Sequence, residues 1–217
     1  MSLRTSRTLA AAVVLAAATT GTALAVTPAS AATAVCGSVC TSFYPLSYGT
    51  NDVLAVENPS GTSASTGQAV TIAAASSDNQ GEDWVLEDEG TVADFYAAGL
   101  MSAEMNLHWS SDEVYEIDYA PDLTWTGLCL GTSSSGGSGA VSLQPCGETA
   151  ATLWVADTAD ASGRALPLIN GNNDNFAYPY SLTASSPGAQ LSSSELVPSS
   201  TTTVNPDQEW GTIYGEL

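Results

Sequence analysis

A segment that ends in tryptophan occurs three times in this chain, and this internal repetition limits the folds that the sequence can adopt. Each segment begins with a short apolar run, passes through a Ser- and Gly-rich turn to a second apolar run, and closes at Trp84, Trp154 or Trp210. Repeated units of this kind bury a common core only when several of them pack together. We therefore expect the three tryptophans to be core residues, one from each repeat.

The apolar runs are short, rich in β-branched and aromatic residues, and separated by Gly, Ser, Asn, Asp and Pro. This pattern is typical of β-strands joined by turns. The clearest strand candidates are residues 53–56, 70–72, 114–117, 141–143 and 154–156. One stretch, residues 92–107, has a helical composition, and Gly99 interrupts it. The sequence thus predicts an all-β protein.

The repeats resemble those of a known family. The middle repeat reads Cys129-Leu130-Gly131, Val141-Ser142-Leu143, Cys146 and Trp154, and the last closes with Gln208-Glu209-Trp210. This is similar to the ricin-type β-trefoil lectins, whose repeats carry a C-L-D-V strand, a V-Q-L-W strand and a closing Q-x-W. The resemblance covers about residues 41–217, with a long insertion at residues 93–112. It implies a single-domain β-trefoil with three pseudo-repeats, in a divergent secreted bacterial member of that family.

The resemblance also implies where a sugar would bind. In the family, an aspartate of the C-L-D-V strand, an aromatic after V-Q-L and an amide near Q-x-W hold the sugar. In this chain the aspartate and aromatic positions fall on other residue types: Ala55, Gly131 and Thr183 for the aspartate, and Ala73, Gln144 and Ser192 for the aromatic. The usual pockets have lost their carboxylate and their stacking platform, so any carbohydrate site is expected at an unusual place.

Two other regions offer residues of the right chemistry. Amides, carboxylates and aromatics that could read sugar hydroxyls and stack on a ring come from the loop at 170–180 and from the last closing motif: Asn173, Asp174, Asn175, Tyr178, Tyr180, Asp207 and Gln208. Asn side chains in such a loop could equally satisfy their own backbone. The insertion and its flank form a second candidate surface, with His108, Trp109, Tyr115, Tyr119 and Trp125.

Catalytic and metal-binding motifs are missing from the sequence. There is no G-x-S-x-G elbow, His108 is the only histidine, and the acidic clusters at 82–89 and 112–122 contain no D-x-D-x-D-G loop. We interpret these clusters as a solvated acidic face. No catalytic residue, cofactor or metal is expected. A glycoside hydrolase with a carboxylate pair stays open as an alternative, since the sequence does not select two of the 23 acidic residues.

The amino terminus has the pattern of a secretory signal peptide. Arg4 and Arg7 precede an apolar run at 9–17, and Ala29-Ser30-Ala31 matches a cleavage site. Removal of residues 1–31 would leave all 23 acidic residues opposed by Arg164 alone. Such charge repels nucleic acid and anionic membranes. The expected partner of the secreted, extracellular protein is a neutral glycan or a basic extracellular protein.

Four cysteines in an oxidising compartment favour two disulfides, and four cysteines allow three pairings. Proximity in sequence favours Cys36 with Cys40, in an amino-terminal loop at 32–40, and Cys129 with Cys146 inside the domain at 41–217. The resemblance places the second pair at the family's positions. The sequence therefore predicts a non-catalytic extracellular binding protein, with carbohydrate as the first ligand class. A protein-interaction or inhibitor module on the same fold is the alternative.

Overall fold

The computed structural model describes residues 40–57, 63–76, 79–133, 138–147, 149–157, 165–171, 179–196 and 204–214. These residues form twelve strands: β1 Thr41–Pro45, β2 Asp52–Val56, β3 Val70–Ala74, β4 Trp84–Thr91, β5 Glu113–Tyr119, β6 Leu128–Thr132, β7 Gly139–Pro145, β8 Leu153–Ala156, β9 Ala165–Asn170, β10 Tyr180–Thr183, β11 Ser192–Glu195 and β12 Glu209–Tyr214. Two short helices, α1 Val92–Ala97 and α2 Ala103–Trp109, lie between β4 and β5. The prediction of a mainly β fold is confirmed, and each predicted strand lies within β2, β3, β5, β7 or β8.

Six of the strands close into a barrel. Going round the ring, β1, β4, β5, β8, β9 and β12 each pair antiparallel with the next, and β12 pairs again with β1. A closed ring leaves no unpaired barrel edge at which another chain could add a strand.

The other six strands form three hairpins, β2–β3, β6–β7 and β10–β11. The hairpins also bond to one another: Leu191 N donates to Val70 O at 2.8 Å, and Val141 N donates to Leu191 O at 2.9 Å. Every repeat thus supplies two barrel strands and one hairpin, in the order barrel, hairpin, hairpin, barrel. The predicted three-fold repetition is confirmed.

The three repeated tryptophans occupy equivalent places in the core. Their indole nitrogens donate to the carbonyl oxygen of a leucine in the hairpin of the same repeat, at 3.2, 2.9 and 2.8 Å for the pairs Trp84–Leu54, Trp154–Leu130 and Trp210–Leu182. All three indoles are buried in one apolar cluster. A buried indole N–H needs such a partner, so each tryptophan fixes the hairpin of its repeat against the barrel.

The helices of the insertion form a separate layer. Thr91 caps α1 through a capping box with Asp94, in which both residues bond to the other's backbone N–H. The Thr91 hydroxyl and backbone N–H hold the pKa of the Asp94 carboxyl below its ordinary value. The chain then turns at Gly99, whose φ of +75° favours glycine, before α2 begins. Phe95 and Met105 pack on Val155 in a second apolar cluster outside the barrel.

The disulfide between Cys129 and Cys146 is present and joins β6 to the end of β7, which confirms that prediction. Cys36, the expected partner of Cys40, lies outside the described residues, as does the predicted signal peptide at 1–31. Neither described helix has the length and apolar character needed to cross a bilayer.

Candidate ligand-binding site

The strand register locates the positions at which the lectin family would bind sugar. Ala55, Gly131 and Thr183 each follow one of the equivalent leucines, as expected. The cross-strand partner of Leu182 is Ser193, whereas the partners of Leu54 and Leu130 are Ile72 and Leu143. The aromatic position of the last repeat is therefore Ser194. The expected Ser192 is wrong by two residues. Leu191, rather than Ala189, is the residue equivalent to Val70 and Val141, since it bonds to both of them.

Gln208 connects these positions in the last repeat. Its Nε2 lies 3.1 Å from Thr183 Oγ1 and 3.2 Å from Ser194 Oγ, and the residue is buried. The amide is thus used to attach the loop before β12 to the β10–β11 hairpin. Its neighbour Asp207 is half-buried, and the Asp207 backbone N–H donates to the side chain of Asn205. The contacts of Gln208 are those of a structural residue.

In the other repeats, the residues equivalent to Thr183 and Gln208 also make contacts within the protein. A Cβ at Gly131 would lie 2.9 Å from Gln144 Cγ and 3.0 Å from Ala151 O, so no larger side chain fits there. At the first closing motif the Glu82 carboxylate is buried and accepts from Asn79 Nδ2 at 2.7 Å. Burial raises the pKa of Glu82, and its hydrogen bonds partly oppose that rise. Gly131, Glu82 and Gln208, at positions that would serve a sugar in the lectin family, are thus engaged in contacts within the protein.

The candidate loop at 170–180 is described only in part. Asn173, Asp174, Asn175 and Tyr178 lie outside the described residues. Tyr180 begins β10, where it is half-buried and pairs with Glu195 across the hairpin.

The second candidate surface separates into buried and exposed members. Tyr119 lies in the core, with its ring centroid 5.5 Å from that of Trp84. Trp109 is half-buried against the helical cluster, and the Tyr115 hydroxyl donates to the Glu113 carboxylate. His108 is exposed on α2. Trp125 is 55% exposed, which makes it the most accessible tryptophan of the chain.

Trp125 follows a tight and unusual turn. Pro121–Leu123 is a 3-10 segment in which Asp122 and Leu123 have φ values of 48° and 59°. Left-handed backbone at a residue other than glycine costs about 1–3 kcal/mol and is found preferentially at functional sites. The loop is nevertheless held: Asp122 N donates to Asp83 Oδ2 at 3.1 Å, and the Thr126 hydroxyl donates to Tyr119 O at 2.7 Å.

Polar groups are carried by the same loop as this exposed tryptophan and by the segment that is bonded to it. The Gln80 amide, on the neighbouring 3-10 segment Gln80–Glu82, donates to the carboxylate of Asp122, which is exposed to solvent. Leu123 is 43% exposed and Thr124 is also exposed. We call the surface formed by these residues the tryptophan patch: Gln80, Asp122, Leu123, Thr124 and Trp125. It combines an aromatic face with a carboxylate and an amide.

Comparison with known structures agrees with the barrel and its three hairpins. The chain is similar to a designed three-fold symmetric protein, ThreeFoil, with a TM-score of 0.53 and 16% identity over 82% of this chain and 99% of that one. The chain has the β-trefoil fold. A protein of unknown function from Caenorhabditis elegans also matches, with a TM-score of 0.42 and 10% identity over 83% of this chain and 96% of that one. No family model and no curated protein matches the sequence.

Acidic residues form a second cluster on the outer face of this trefoil barrel. The expectation that the acidic residues form a solvated face is wrong for part of this cluster. Glu116 and Asp118 on β5 are buried beneath the disulfide and the turn after β7. Glu87, which is exposed, pairs with Glu116 across the strands, and Glu89 follows. Burial raises the pKa of Asp118 to about 7, and the charges of Glu87, Glu116 and Glu89 add to the effect. We call these four residues the carboxylate cluster.

Proposed function

We propose that this protein is an extracellular, non-catalytic binding protein that takes uncharged carbohydrate at the tryptophan patch. The observation that supports the proposal is the exposure of Trp125 on a strained but hydrogen-bonded loop that also carries the Asp122 carboxylate, to which the Gln80 amide donates. The predicted signal peptide supports an extracellular location.

The chemistry of the patch suits a sugar ring. An indole face packs on the C–H side of a pyranose, while a carboxylate and an amide read neighbouring hydroxyls. Because hydrogen bonds already hold the 121–126 loop, little conformational entropy is lost when a ligand binds. The net charge of −20 disfavours acidic polysaccharides and leaves uncharged ones.

A glycan array of uncharged polysaccharides and cell-wall fragments, followed by titration, tests the proposal. Trp125→Ala should weaken binding at least about thirtyfold, because exposed aromatic anchors contribute about 2 kcal/mol or more. Trp125→Phe should retain part of the affinity. Leu107→Ala, on the exposed side of α2, should bind as the unmodified protein does. Binding that is insensitive to Trp125→Ala, or absent on every glycan, would refute the site.

The same samples separate binding from hydrolysis. Polysaccharides that the protein binds should release no new reducing ends during prolonged incubation. Release that is abolished by one Asp or Glu substitution would favour the carboxylate-pair hydrolase over a binding protein.

A second candidate function, protein interaction, is favoured by the surface of the helical insertion. Leu107 is 72% exposed on α2 and Tyr96 is 43% exposed on α1. Large exposed apolar side chains inside an acidic surface suit a basic protein partner. Basic proteins of the culture medium should then form a stoichiometric complex on size-exclusion chromatography, and Leu107→Asp should abolish it while Trp125→Ala does not.

A further inference from the structure

Asp118 is a buried carboxyl group that lies against the disulfide. The residue is 5% exposed, and its Oδ2 has no hydrogen-bond partner among the described residues. Its Oδ1 lies 3.1 Å from Cys129 Sγ and 3.0 Å from Cys146 Sγ. Disulfide sulfurs carry no hydrogen and are weak acceptors, so this contact is a hydrogen bond only when Asp118 carries the proton. An ionised carboxylate in the same place would lose its hydration without gaining a donor.

The charged groups that act on Asp118 are all acidic. Glu116 lies two residues before it on β5, and Glu87 and Glu89 lie on the neighbouring strand β4. On β6 and β7 the side chains next to it are the bonded cysteines, which do not titrate. The described residues include no lysine or arginine. The carboxylate cluster therefore favours the neutral form of its buried member.

Asp118 also closes the base of the loop that carries Trp125. In the part of the chain that the structure describes, β5 and β6 pair at one position, Asp118 with Cys129. Residues 120–127, which we call the patch loop, run between these two strands. The disulfide joins β6 to β7 and does not attach either strand to β5. The base of the patch loop is therefore held by noncovalent contacts, and the contact of Asp118 with the disulfide is one of them.

We propose that Asp118 is a proton-dependent switch for the patch loop: its neutral carboxyl group donates to the disulfide and closes the base of the loop, and its ionised form opens it. Ionisation would place a buried negative charge against the sulfur lone pairs and near Glu116. Opening of the base returns the carboxylate to water and removes that cost. The effect on a ligand rests on the proposed function, since the apparent affinity of the tryptophan patch would scale with the fraction of closed loop.

The direction of the effect with pH follows from two pKa values. Burial raises the pKa of Asp118 to about 7 in the closed form, whereas a hydrated aspartate has a pKa of about 3.9. Between these values the closed form holds a proton that the open form releases. The contribution to closure is therefore complete below about pH 4 and is lost as the pH rises through 7. Full hydration of the open carboxylate would change the closing equilibrium about a thousandfold, and partial hydration at least about tenfold.

Amide hydrogen exchange, followed by NMR from pH 5 to pH 8 and corrected for the intrinsic rate at each pH, tests the switch without a ligand. The amides of Leu128 and Gly147 report the closed base, since they donate to Thr126 Oγ1 at 3.2 Å and to Glu116 Oε1 at 3.1 Å. Their protection should fall at least about tenfold more over this range than that of the Leu191 amide, which joins two hairpins away from Asp118. An equal fall at all three amides would indicate global destabilisation and would overturn the proposal.

Two variants assign the effect to Asp118. Asp118→Asn, whose amide can donate to sulfur at every pH, should remove the excess loss of protection, whereas Glu57→Gln, an exposed carboxylate next to β2, should keep it. If Asp118→Asn does not fold, Glu87→Gln keeps the test informative: it removes an exposed negative charge, so the loss of protection should begin at a higher degree of acidity, that is, at lower pH.

The switch is wrong if the excess loss persists in Asp118→Asn, or if Glu87→Gln leaves its midpoint unchanged. Absence of glycan binding would refute the proposed function and would not alter the exchange result, so the two failures are distinguishable.

Discussion

The hydroxyl of Tyr119 provides a sharp test of the core. The side chain is fully buried on β5, and its Oη has no hydrogen-bond partner among the described residues. A buried hydroxyl without a partner costs about 1–3 kcal/mol. Tyr119→Phe keeps the ring that packs at 5.5 Å on Trp84 and removes only that hydroxyl. The variant is expected to be more stable than the unmodified protein at pH 7, by about 1 kcal/mol after the loss of some packing.

Alkaline pH gives the same residue a second signature. Burial raises the pKa of Tyr119 to about 12, and the charge of Asp83 adds to the rise. In the unfolded chain the pKa is about 10. At a pH between these two values, Tyr119 is ionised in the unfolded chain and protonated in the folded one. The contribution of Tyr119 to the free energy of unfolding is therefore complete below pH 10 and is lost as the pH rises towards 12. The free energy of unfolding should fall by about 3 kcal/mol over this range, and Tyr119→Phe should remove that part of the fall.

Urea denaturation followed by tryptophan fluorescence, at pH 7 and at steps from pH 9 to 12, measures both effects. Tyr48→Phe is the matched control, because the Tyr48 hydroxyl donates to Ser185 O at 2.7 Å. Losing that bond should destabilise the protein by about 0.5–1.5 kcal/mol. The two substitutions should therefore act in opposite directions at pH 7. If Tyr119→Phe is as destabilising as Tyr48→Phe and keeps the alkaline slope of the unmodified protein, the reasoning about the buried hydroxyl is wrong.

Three further stability predictions follow from the contacts of the hairpins. Replacing Cys129 and Cys146 together by Ser should lower the free energy of unfolding by about 3 kcal/mol, since the bridge closes a loop of 17 residues; an unchanged urea midpoint would contradict this. Gly131→Ala should cost about 1–3 kcal/mol in the same assay, because the new Cβ would approach its neighbours to 2.9 and 3.0 Å, whereas Gly139→Ala, at 3.5 Å, should be nearly neutral. Gln208→Ala should lower the thermal midpoint by an amount equivalent to about 1–3 kcal/mol, because it removes the bonds between the last loop and its hairpin; a variant as stable as the unmodified protein would show that these bonds contribute nothing.

Much of the fold could be predicted because its signals are local and repeated. An indole recurs at the end of each repeat, and strand composition marks both members of the β2–β3 hairpin and one member, β7, of the next. The register of the last hairpin could not be predicted, since Ser193 lies where Ile72 and Leu143 lie in the other repeats. A polar residue at an apolar position removes the signal by which sequences are aligned.

The candidate site was less accessible to sequence reasoning. The sequence separates Trp125 from the tryptophans that close the repeats and offers it as a surface candidate, but Tyr119, a candidate on the same grounds, is buried. Tertiary packing decides which of these aromatic side chains is exposed. Asp118 alternates with Ile117 and Tyr119, which indicates that it lies on the other face of β5. The disulfide covers this face because the β6–β7 hairpin contacts β5. No local sequence pattern indicates that contact.

The helical insertion has a consequence for engineering. The chain leaves the barrel at Thr91 and returns at Glu113, and these two residues pair across the strands. The pairing of β4 with β5 is therefore complete without the residues between Thr91 and Glu113. A foreign peptide could be grafted between them to display an epitope or a sensor, provided that it covers the apolar side chains of Val114, Val155 and Ile169 that the helices now protect from water.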